Sequence, residues 1–196
     1  MSLTENGGDT TKKNLGVPVS NSDANPLDIT VRGERPEDFP AIRRLVAEAF
    51  ATAAHSDGDE HNLVDRLRNS PEYLPGLSLV AVSHGDIIGY VMFSKILIGT
   101  RPAVAPAPLA VAAAYRHDGI GTSLMDMGHK AAQGMGYPCS VILGVPEYYG
   151  KFGYRTARQF GIVAPFEVEE KYFMALQLAG EEMPRGTVVY SKAFGL

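Results

Sequence analysis

The residues best suited to binding chemistry lie between Leu109 and Leu124. There a short apolar run gives way to Arg-His-Asp-Gly-Ile-Gly at positions 116–121, and a helical pattern begins at once. Glycine lets the backbone come close to a ligand, and a helix that begins at this point leaves its first N–H groups without partners inside the helix. Together with the positive end of the helix dipole, these groups suit a pyrophosphate. The sequence therefore predicts an anion site here.

The glycine spacing narrows the class of site. Gly119 and Gly121 are followed by Leu124, so the third glycine of a dinucleotide-binding fingerprint is missing, which disfavours a nicotinamide-dependent oxidoreductase. The segment contains no Gly-Lys-Ser or Gly-Lys-Thr, which excludes a P-loop. A tight strand-to-helix turn without a ligand stays open as the alternative.

A second segment with chemical potential runs from Leu143 to Tyr154. It follows an apolar run and places Tyr149, Gly153 and Tyr154 in a Tyr-x-x-x-Gly-aromatic pattern. A phenol has a reference pKa near ~10, so Tyr149 is a proton donor at neutral pH. The alternative is a tyrosine packed against the sheet with its hydroxyl hydrogen-bonded.

Taken together, Leu-x-Val before Arg-x-x-Gly-x-Gly and the later tyrosine motif resemble the GCN5-related N-acetyltransferases (GNAT). The form Leu-Gly-x-Pro-x-Tyr-Tyr-Gly-x-Phe-Gly-aromatic that begins at Leu143 resembles the YhbS-like branch of predicted acetyltransferases. The resemblance covers roughly residues 27–196. It implies the α/β GNAT acyl-CoA N-acyltransferase fold, whose twisted sheet is mixed, mostly antiparallel and flanked by helices. It also implies an enzyme that moves an acetyl group from acetyl-CoA directly to a primary amine.

The resemblance also assigns roles to individual residues. It implies acetyl-CoA as the cosubstrate, with no metal, and Tyr149 as the general acid that protonates the departing thiolate. The pantetheine arm is expected along the backbone of Leu109, Ala110 and Val111. The pyrophosphate is expected against Arg116, His117, Asp118, Gly119, Ile120, Gly121 and Thr122.

The general base is not evident from the sequence. The strand expected before the turn reads Ala-Val-Ala-Pro-Ala-Pro-Leu-Ala-Val at residues 103–111, where some relatives carry a glutamate. Glu48, His55 and His84 stay open as candidates. The missing acid keeps an alternative function open, a non-catalytic acyl-CoA-binding sensor or scaffold on the same fold.

The elements that must position these residues follow the order β-α-α-β-β-β-α-β-α-β-β, which indicates an α/β protein with a mixed, mostly antiparallel sheet. A flexible tail is expected over residues 1–26 and a single domain over 27–196. Three prolines between Arg101 and Pro108 are unusual for a central strand. The helix beginning at Gly119 is expected to bury the apolar residues spaced along it, namely Ile120, Leu124, Met127, Ala131 and Met135. Its histidine, His129, is expected at the surface.

Composition excludes several classes of partner. The 196 residues carry a formal net charge of −4 with a pI of about 5.7, which argues against nucleic acid. No apolar stretch is long enough to cross a bilayer, and no basic-then-apolar leader opens the chain, so we expect no membrane partner and a cytoplasmic location. The single cysteine, Cys139, is expected to be a small buried hydrophobic residue. The amine acceptor, small molecule or peptide, is unidentified, and the oligomeric state is open, with a homodimer as one option.

Overall fold

The computed structural model describes residues 28–51, 56, 58–180 and 182–195. In these ranges the strands are β1 (Ile29–Gly33), β2 (Ser78–Ser83), β3 (Asp86–Ile98), β4 (Arg101–Val111), β5 (Cys139–Leu143), β6 (Arg155–Thr156), β7 (Ile162–Val163), β8 (Phe173–Gln177) and β9 (Gly186–Val189). The helices are α1 (Phe39–Phe50), α2 (Glu60–Arg68), α3 (Ile120–Gly134) and α4 (Pro146–Tyr149). The tail predicted over residues 1–26, and Leu27, where the single domain is expected to begin, lie outside the described residues.

The strands form one sheet in the order β1-β2-β3-β4-β5-β8-β6, and β9 pairs with the end of β3 and with β7. The pairings are antiparallel except for β4 with β5 and β7 with β9. The prediction of a mixed, mostly antiparallel sheet flanked by helices is confirmed. Among the described residues, no helix has the length and apolar character needed to cross a membrane.

Strands β4 and β5 meet at a single point. Val104 pairs with Ser140, and the two parallel strands then separate. On its other side β4 pairs with β3 along most of its length, but the register shifts between the pairs Val91–Leu109 and Phe93–Pro106. The shift leaves one extra residue on β4, which is a β-bulge. A wedge-shaped gap therefore opens between β4 and β5 toward their carboxyl ends.

Helices cover both faces of the sheet because successive strand residues point to opposite sides. On β3, Val91 and Phe93 join the core beneath α3. Their neighbours Tyr90 and Met92 join the core beneath α1 and α2. A third core lies under the later strands and includes Cys139, which is fully buried as expected.

Helix α3 lies very close to the sheet because a glycine of β3 faces the helix and a glycine of the helix faces β3. A Cβ on Gly89 of β3 would stand 2.7 Å from Ile120 Cγ2, and a Cβ on Gly128 of α3 would clash with the ring of Phe93. These approaches fix where the amino end of α3 lies relative to β4. The candidate anion site is therefore held by core packing as well as by its own turn.

Two details of the helix prediction are wrong. Met127 and Met135 are 41% and 51% exposed, whereas His129, expected at the surface, is buried. The buried face passes through Gly128 and Ala132, whose small side chains contribute little to an apolar pattern. The chain also ends with four short strands in the described ranges, β6 to β9, where two or three were expected.

Candidate functional site

A pocket of about 400 Å³ opens at the amino end of α3. Most of the predicted pyrophosphate residues line it, namely Arg116, His117, Gly119, Ile120, Gly121 and Thr122, together with Val111. Asp118 is exposed and is not part of the lining. The structure adds residues that the sequence analysis did not assign to this site, Tyr115, Tyr148 and Lys151.

The turn before α3 has an unusual backbone. His117 and Gly119 adopt positive φ angles of 74° and 80°, a region that non-glycine residues rarely occupy. The first bond of the helix is donated by Ser123 N–H to Gly119 O at 2.9 Å. The amides of Ile120, Gly121 and Thr122 precede it and so have no acceptor one turn back within the helix. Their donors are placed at the pocket, as an anion site requires.

The two glycines of the turn serve different purposes. Gly119 needs its left-handed backbone, and nothing lies within 4 Å of where its Cβ would be. Gly121 has an ordinary backbone, but a Cβ there would stand 2.6 Å from Tyr148 Oη and would project into the pocket. Gly119 is therefore required for its positive φ angle, and Gly121 because a side chain there would be too close to Tyr148.

Two cationic side chains flank the turn. Lys151 donates to Thr122 Oγ1 at 3.2 Å, and its Nζ lies 3.8 Å from the centre of the Tyr148 ring. Arg116 donates to the carbonyl of Ala49, at the end of α1, at 3.2 Å. Lys151 could have been found from the sequence, since it lies two residues after Tyr149 in the second motif.

The predicted pantetheine residues form the last part of β4. Leu109, Ala110 and Val111 pair with β3 through Val91, Tyr90 and Gly89. In an antiparallel ladder, hydrogen-bonded and non-bonded pairs alternate, so part of this backbone turns its amides and carbonyls away from β3 and into the gap. Val111 also reaches the first pocket.

A second pocket, of about 420 Å³, lies where the gap narrows. Its walls come from both strands, from the bulged part of β4 and from the end of β5, and aromatic rings from the last third of the chain cover it. The lining residues are Ala105, Pro106, Ala107, Val141, Ile142, Leu143, Phe166, Tyr190 and Phe194. Both pockets have a wall on β4, and the distance along the strand from Val111 in the first to Ala107 in the second is roughly 13 Å.

Tyr149 is placed on the segment that joins the two pockets. Its ring covers Gly144, at the end of β5, where a Cβ would overlap it. The ring lies edge-to-face with Tyr148 at 4.9 Å and with Tyr154 at 6.0 Å. Burial raises the pKa of Tyr149 to about 12, so the phenol stays protonated at neutral pH. Tyr149 itself is not in the lining of either pocket.

A buried polar network lies behind this segment. Tyr154 Oη is 2.6 Å from Ser140 Oγ and 2.9 Å from His129 Nε2. Burial lowers the pKa of His129 to about 4, against an opposing effect of Asp126, so the imidazole is neutral. Since Ser140 is also the residue at which β5 meets β4, the network fixes the point from which the gap opens.

The described residues contain no group of three or more His, Cys, Asp or Glu side chains arranged to hold a metal ion. The donors that the site does offer are backbone amides, Lys151 and hydroxyl groups. This donor set suits phosphate oxygens.

The chain resembles known acetyltransferases over most of its length. The family model described as the acetyltransferase (GNAT) domain matches residues 75–156. The chain is 31% identical over 168 residues to the uncharacterized N-acetyltransferase YhbS of Escherichia coli K12, a match covering 84% of this chain and 97% of that protein.

Two solved structures extend the comparison. A GNAT family acetyltransferase from Brucella melitensis in complex with acetyl-CoA is 33% identical, with a TM-score of 0.72, over 85% of this chain and 97% of that one. The E. coli N-acetyltransferase YhbS in complex with CoA is 30% identical, with a TM-score of 0.79, over 87% and 93%.

Proposed function

The chain belongs to the GNAT family of N-acetyltransferases, and we propose that it transfers the acetyl group of acetyl-CoA to a primary amine with Tyr149 as the general acid. The two solved relatives were obtained with acetyl-CoA and with CoA. The single observation that carries the proposal for this chain is the turn at residues 116–122, which directs helix N-terminal amides into a pocket at the open end of the β4–β5 gap.

The cofactor's diphosphate is held by the turn. The amides of Ile120, Gly121 and Thr122 supply donors, and Lys151 supplies a positive charge next to Thr122. From there the pantetheine arm runs along the free side of Leu109–Val111 and takes the place of a strand between β4 and β5. This arrangement brings the thioester to the second pocket, about 13 Å further along β4.

Backbone amides of β4 polarise the thioester carbonyl. Pro106 and Pro108 have no N–H, so the β4 residues of the second pocket that carry an amide N–H are Ala105 and Ala107. An amide held in fixed geometry stabilises the oxygen that gains negative charge when the amine attacks. The bulge in β4 at this position changes which backbone groups face the gap.

Tyr149 protonates the sulfur as the thiolate departs. Its neighbour Tyr148 directs its hydroxyl toward Gly121, at the pyrophosphate end, so the two adjacent tyrosines have separate tasks. Burial raises the pKa of Tyr149 to about 12, which keeps the phenol protonated but makes it a weaker acid. The same apolar surroundings raise the pKa of the departing thiol above its usual ~8.5, which makes the sulfur a better proton acceptor.

Of the candidate bases drawn from the sequence, the two that the structure describes, Glu48 and His84, do not line the second pocket. Glu48 is exposed on α1. His84 is in the hairpin before Asp86, and the strand from Asp86 to Ser94, which pairs with Ala105 of the second pocket, spans roughly 26 Å. His55 lies outside the described residues. When a free amine attacks, its nitrogen must still lose one proton as the amide forms, and this proton, passed through solvent, balances the one that Tyr149 gives to the sulfur.

The proposal is tested by thiol release from acetyl-CoA with a panel of amines, using the adjacent tyrosines as a matched pair. Tyr149→Phe is expected to lower kcat by about ten- to a thousandfold with the Kd for CoA within about twofold. Tyr148→Phe is expected to weaken CoA binding and to leave kcat nearly unchanged. Equal kcat for Tyr149→Phe and the wild type would refute the role of Tyr149. No thiol release with any amine would favour the binding-module alternative.

A further inference from the structure

We propose, on the basis of the function proposed above, that the acceptor is a monoamine whose amino group is carried on an aromatic ring or on a short arm from one. The inference rests on the second pocket, where an attacking nitrogen must come within ~3–3.5 Å of the thioester carbon. Whatever is bonded to that nitrogen must therefore contact the walls of this pocket.

Those walls contain a cluster of aromatic rings. Phe166 and Tyr190 have ring centres 6.2 Å apart and planes inclined by only 24°. Phe194 follows at 5.1 Å from Tyr190, inclined by 59°. Aromatic pairs prefer offset-stacked or edge-to-face arrangements at such separations, so a planar group on the acceptor finds both kinds of surface.

The remaining walls are aliphatic. They are alanine, proline, valine, isoleucine and leucine side chains of β4 and β5, and no ionisable side chain other than the Tyr190 phenol belongs to the described lining. Burial raises the pKa of Tyr190, so that hydroxyl is neutral. A second ammonium close to the reacting amine would be desolvated against these walls, at a large cost.

One polar atom lies beside the pocket without a partner. Ser94 is the cross-strand neighbour of Ala105, and directly opposed residues share a face of the sheet. Its Oγ is fully buried and has no hydrogen-bond partner within the described part of the chain. Ser94 is not part of the described pocket lining, so this side of the pocket offers no accessible polar group to a second ammonium.

The size of the pocket agrees with a small acceptor. About 420 Å³ must contain the acetyl end of the cofactor as well as the amine, and sites for small ligands span ~300–1,000 Å³. One ring with a short arm fits this volume.

The test compares three amines as acetyl acceptors of the wild-type protein: 2-phenylethylamine, n-hexylamine and 1,5-diaminopentane. We expect kcat/KM to be highest for 2-phenylethylamine and at least about a hundredfold lower for 1,5-diaminopentane, whose second charge has no partner. The flexible n-hexylamine should lie between them. A diamine that equals or exceeds 2-phenylethylamine overturns the inference.

A charge-adding variant at the mouth of the pocket tests its chemistry directly. Leu143 lines the pocket but is 52% exposed, so Leu143→Glu should fold normally. We expect it to reduce the preference for 2-phenylethylamine over 1,5-diaminopentane by about tenfold or more, because the new carboxylate pairs with the second ammonium. Met127→Glu adds the same charge to an exposed apolar position on α3 and should leave the preference unchanged. An unchanged preference in Leu143→Glu overturns the inference.

Different results would refute the acceptor class and acetyl transfer itself. If other amines are acetylated and 2-phenylethylamine is not, the acceptor inference is wrong and acetyl transfer stands. If 2-phenylethylamine is inert and a hexanoyl thioester is a better donor than acetyl-CoA, the pocket serves the acyl chain instead and the inference is again overturned. If no amine releases CoA, both proposals are refuted, and calorimetry with CoA then measures what binding remains.

Discussion

Replacing Gly121 by alanine should separate cofactor binding from folding stability. A Cβ at this position would stand 2.6 Å from Tyr148 Oη, 3.7 Å from Val111 Cγ2 and 3.8 Å from Leu109 Cδ2. Only the first contact is tight, and it involves the end of a side chain that can turn away. The new methyl group would remain beside the amides that we assign to the diphosphate.

The two effects have opposite signs. Gly121 lies in the first turn of α3 with a normal backbone, and alanine is favoured over glycine inside a helix by up to ~1 kcal/mol. For a chain of this size that corresponds to a gain in Tm of at most ~2–4 °C. A hydrogen bond to a charged group contributes ~1.5–3 kcal/mol, so loss of one such bond should raise the Kd for CoA about 10- to 100-fold.

Calorimetry with CoA and thermal unfolding without it measure the two effects. Gly134→Ala provides the matched control, since Gly134 lies at the other end of the same helix with nothing within 4 Å of its Cβ. It should change stability by a similar amount and leave CoA binding unaltered. If Gly121→Ala binds CoA as tightly as the wild type, the diphosphate is not held at this turn and the functional argument fails.

Three further perturbations test the charges of the fold and the site. Lys151→Met should weaken CoA binding by about three- to tenfold and reduce its dependence on salt, whereas the exposed Lys130→Met should do neither; equal effects in calorimetry would contradict the assignment. His129 has a pKa of about 4 in the folded protein and near ~6.5 in the unfolded chain. Its contribution to the free energy of unfolding should therefore be fully present above pH 6.5 and fall by at most ~3 kcal/mol as the pH drops toward 4. Denaturant unfolding of His129→Phe should show a weaker dependence of stability on pH. Glu34→Ala would leave the buried Arg68 guanidinium, now 2.7 Å from Glu34 Oε2, with only the more exposed Asp65 carboxylate at 3.0 Å. Unfolding by urea should show a loss of about 3 kcal/mol, toward the lower end of the cost of breaking a buried ion pair.

The sequence predicted the elements of the fold where hydrophobic periodicity was strong. The apolar residues Ile42, Leu45 and Val46 have helical spacing, and α1 buries all three. The sequence Ser-His-Gly-Asp at residues 83–86 is typical of a hairpin turn, and the chain turns there at His84 and Gly85. Prediction failed where a residue's type does not indicate its burial. Burial of His129 is tolerated because its ring shares a hydrogen bond with the Tyr154 hydroxyl. This partner lies 25 residues away in the sequence, and no local pattern reveals it.

The candidate site was predictable to the extent that one segment of chain determines it. Residues 116–122 form a continuous turn, so their grouping at one pocket follows from sequence order once the helix start is known. The second pocket is different, because its walls come from β4, β5 and three aromatic residues between positions 166 and 194. Such a set is defined only by tertiary structure.

The prolines of β4 explain why a gap opens between β4 and β5. A proline within a sheet removes a donor from the ladder and is usually confined to edges or bulges. Pro106 and Pro108 follow the one point, at Val104, where β4 meets β5. Residues in this stretch cannot offer a full set of amides to β5, which favours separation of the strands instead of continued pairing. The gap between the strands therefore follows from residue chemistry that is visible in the sequence.

If Pro106→Val and Pro108→Val together restored amides to this stretch, the strands should pair further along. Hydrogen exchange would then show added protection at residues 105–109 with a loss of CoA affinity, whereas added protection without that loss would mean that the cofactor does not use the gap.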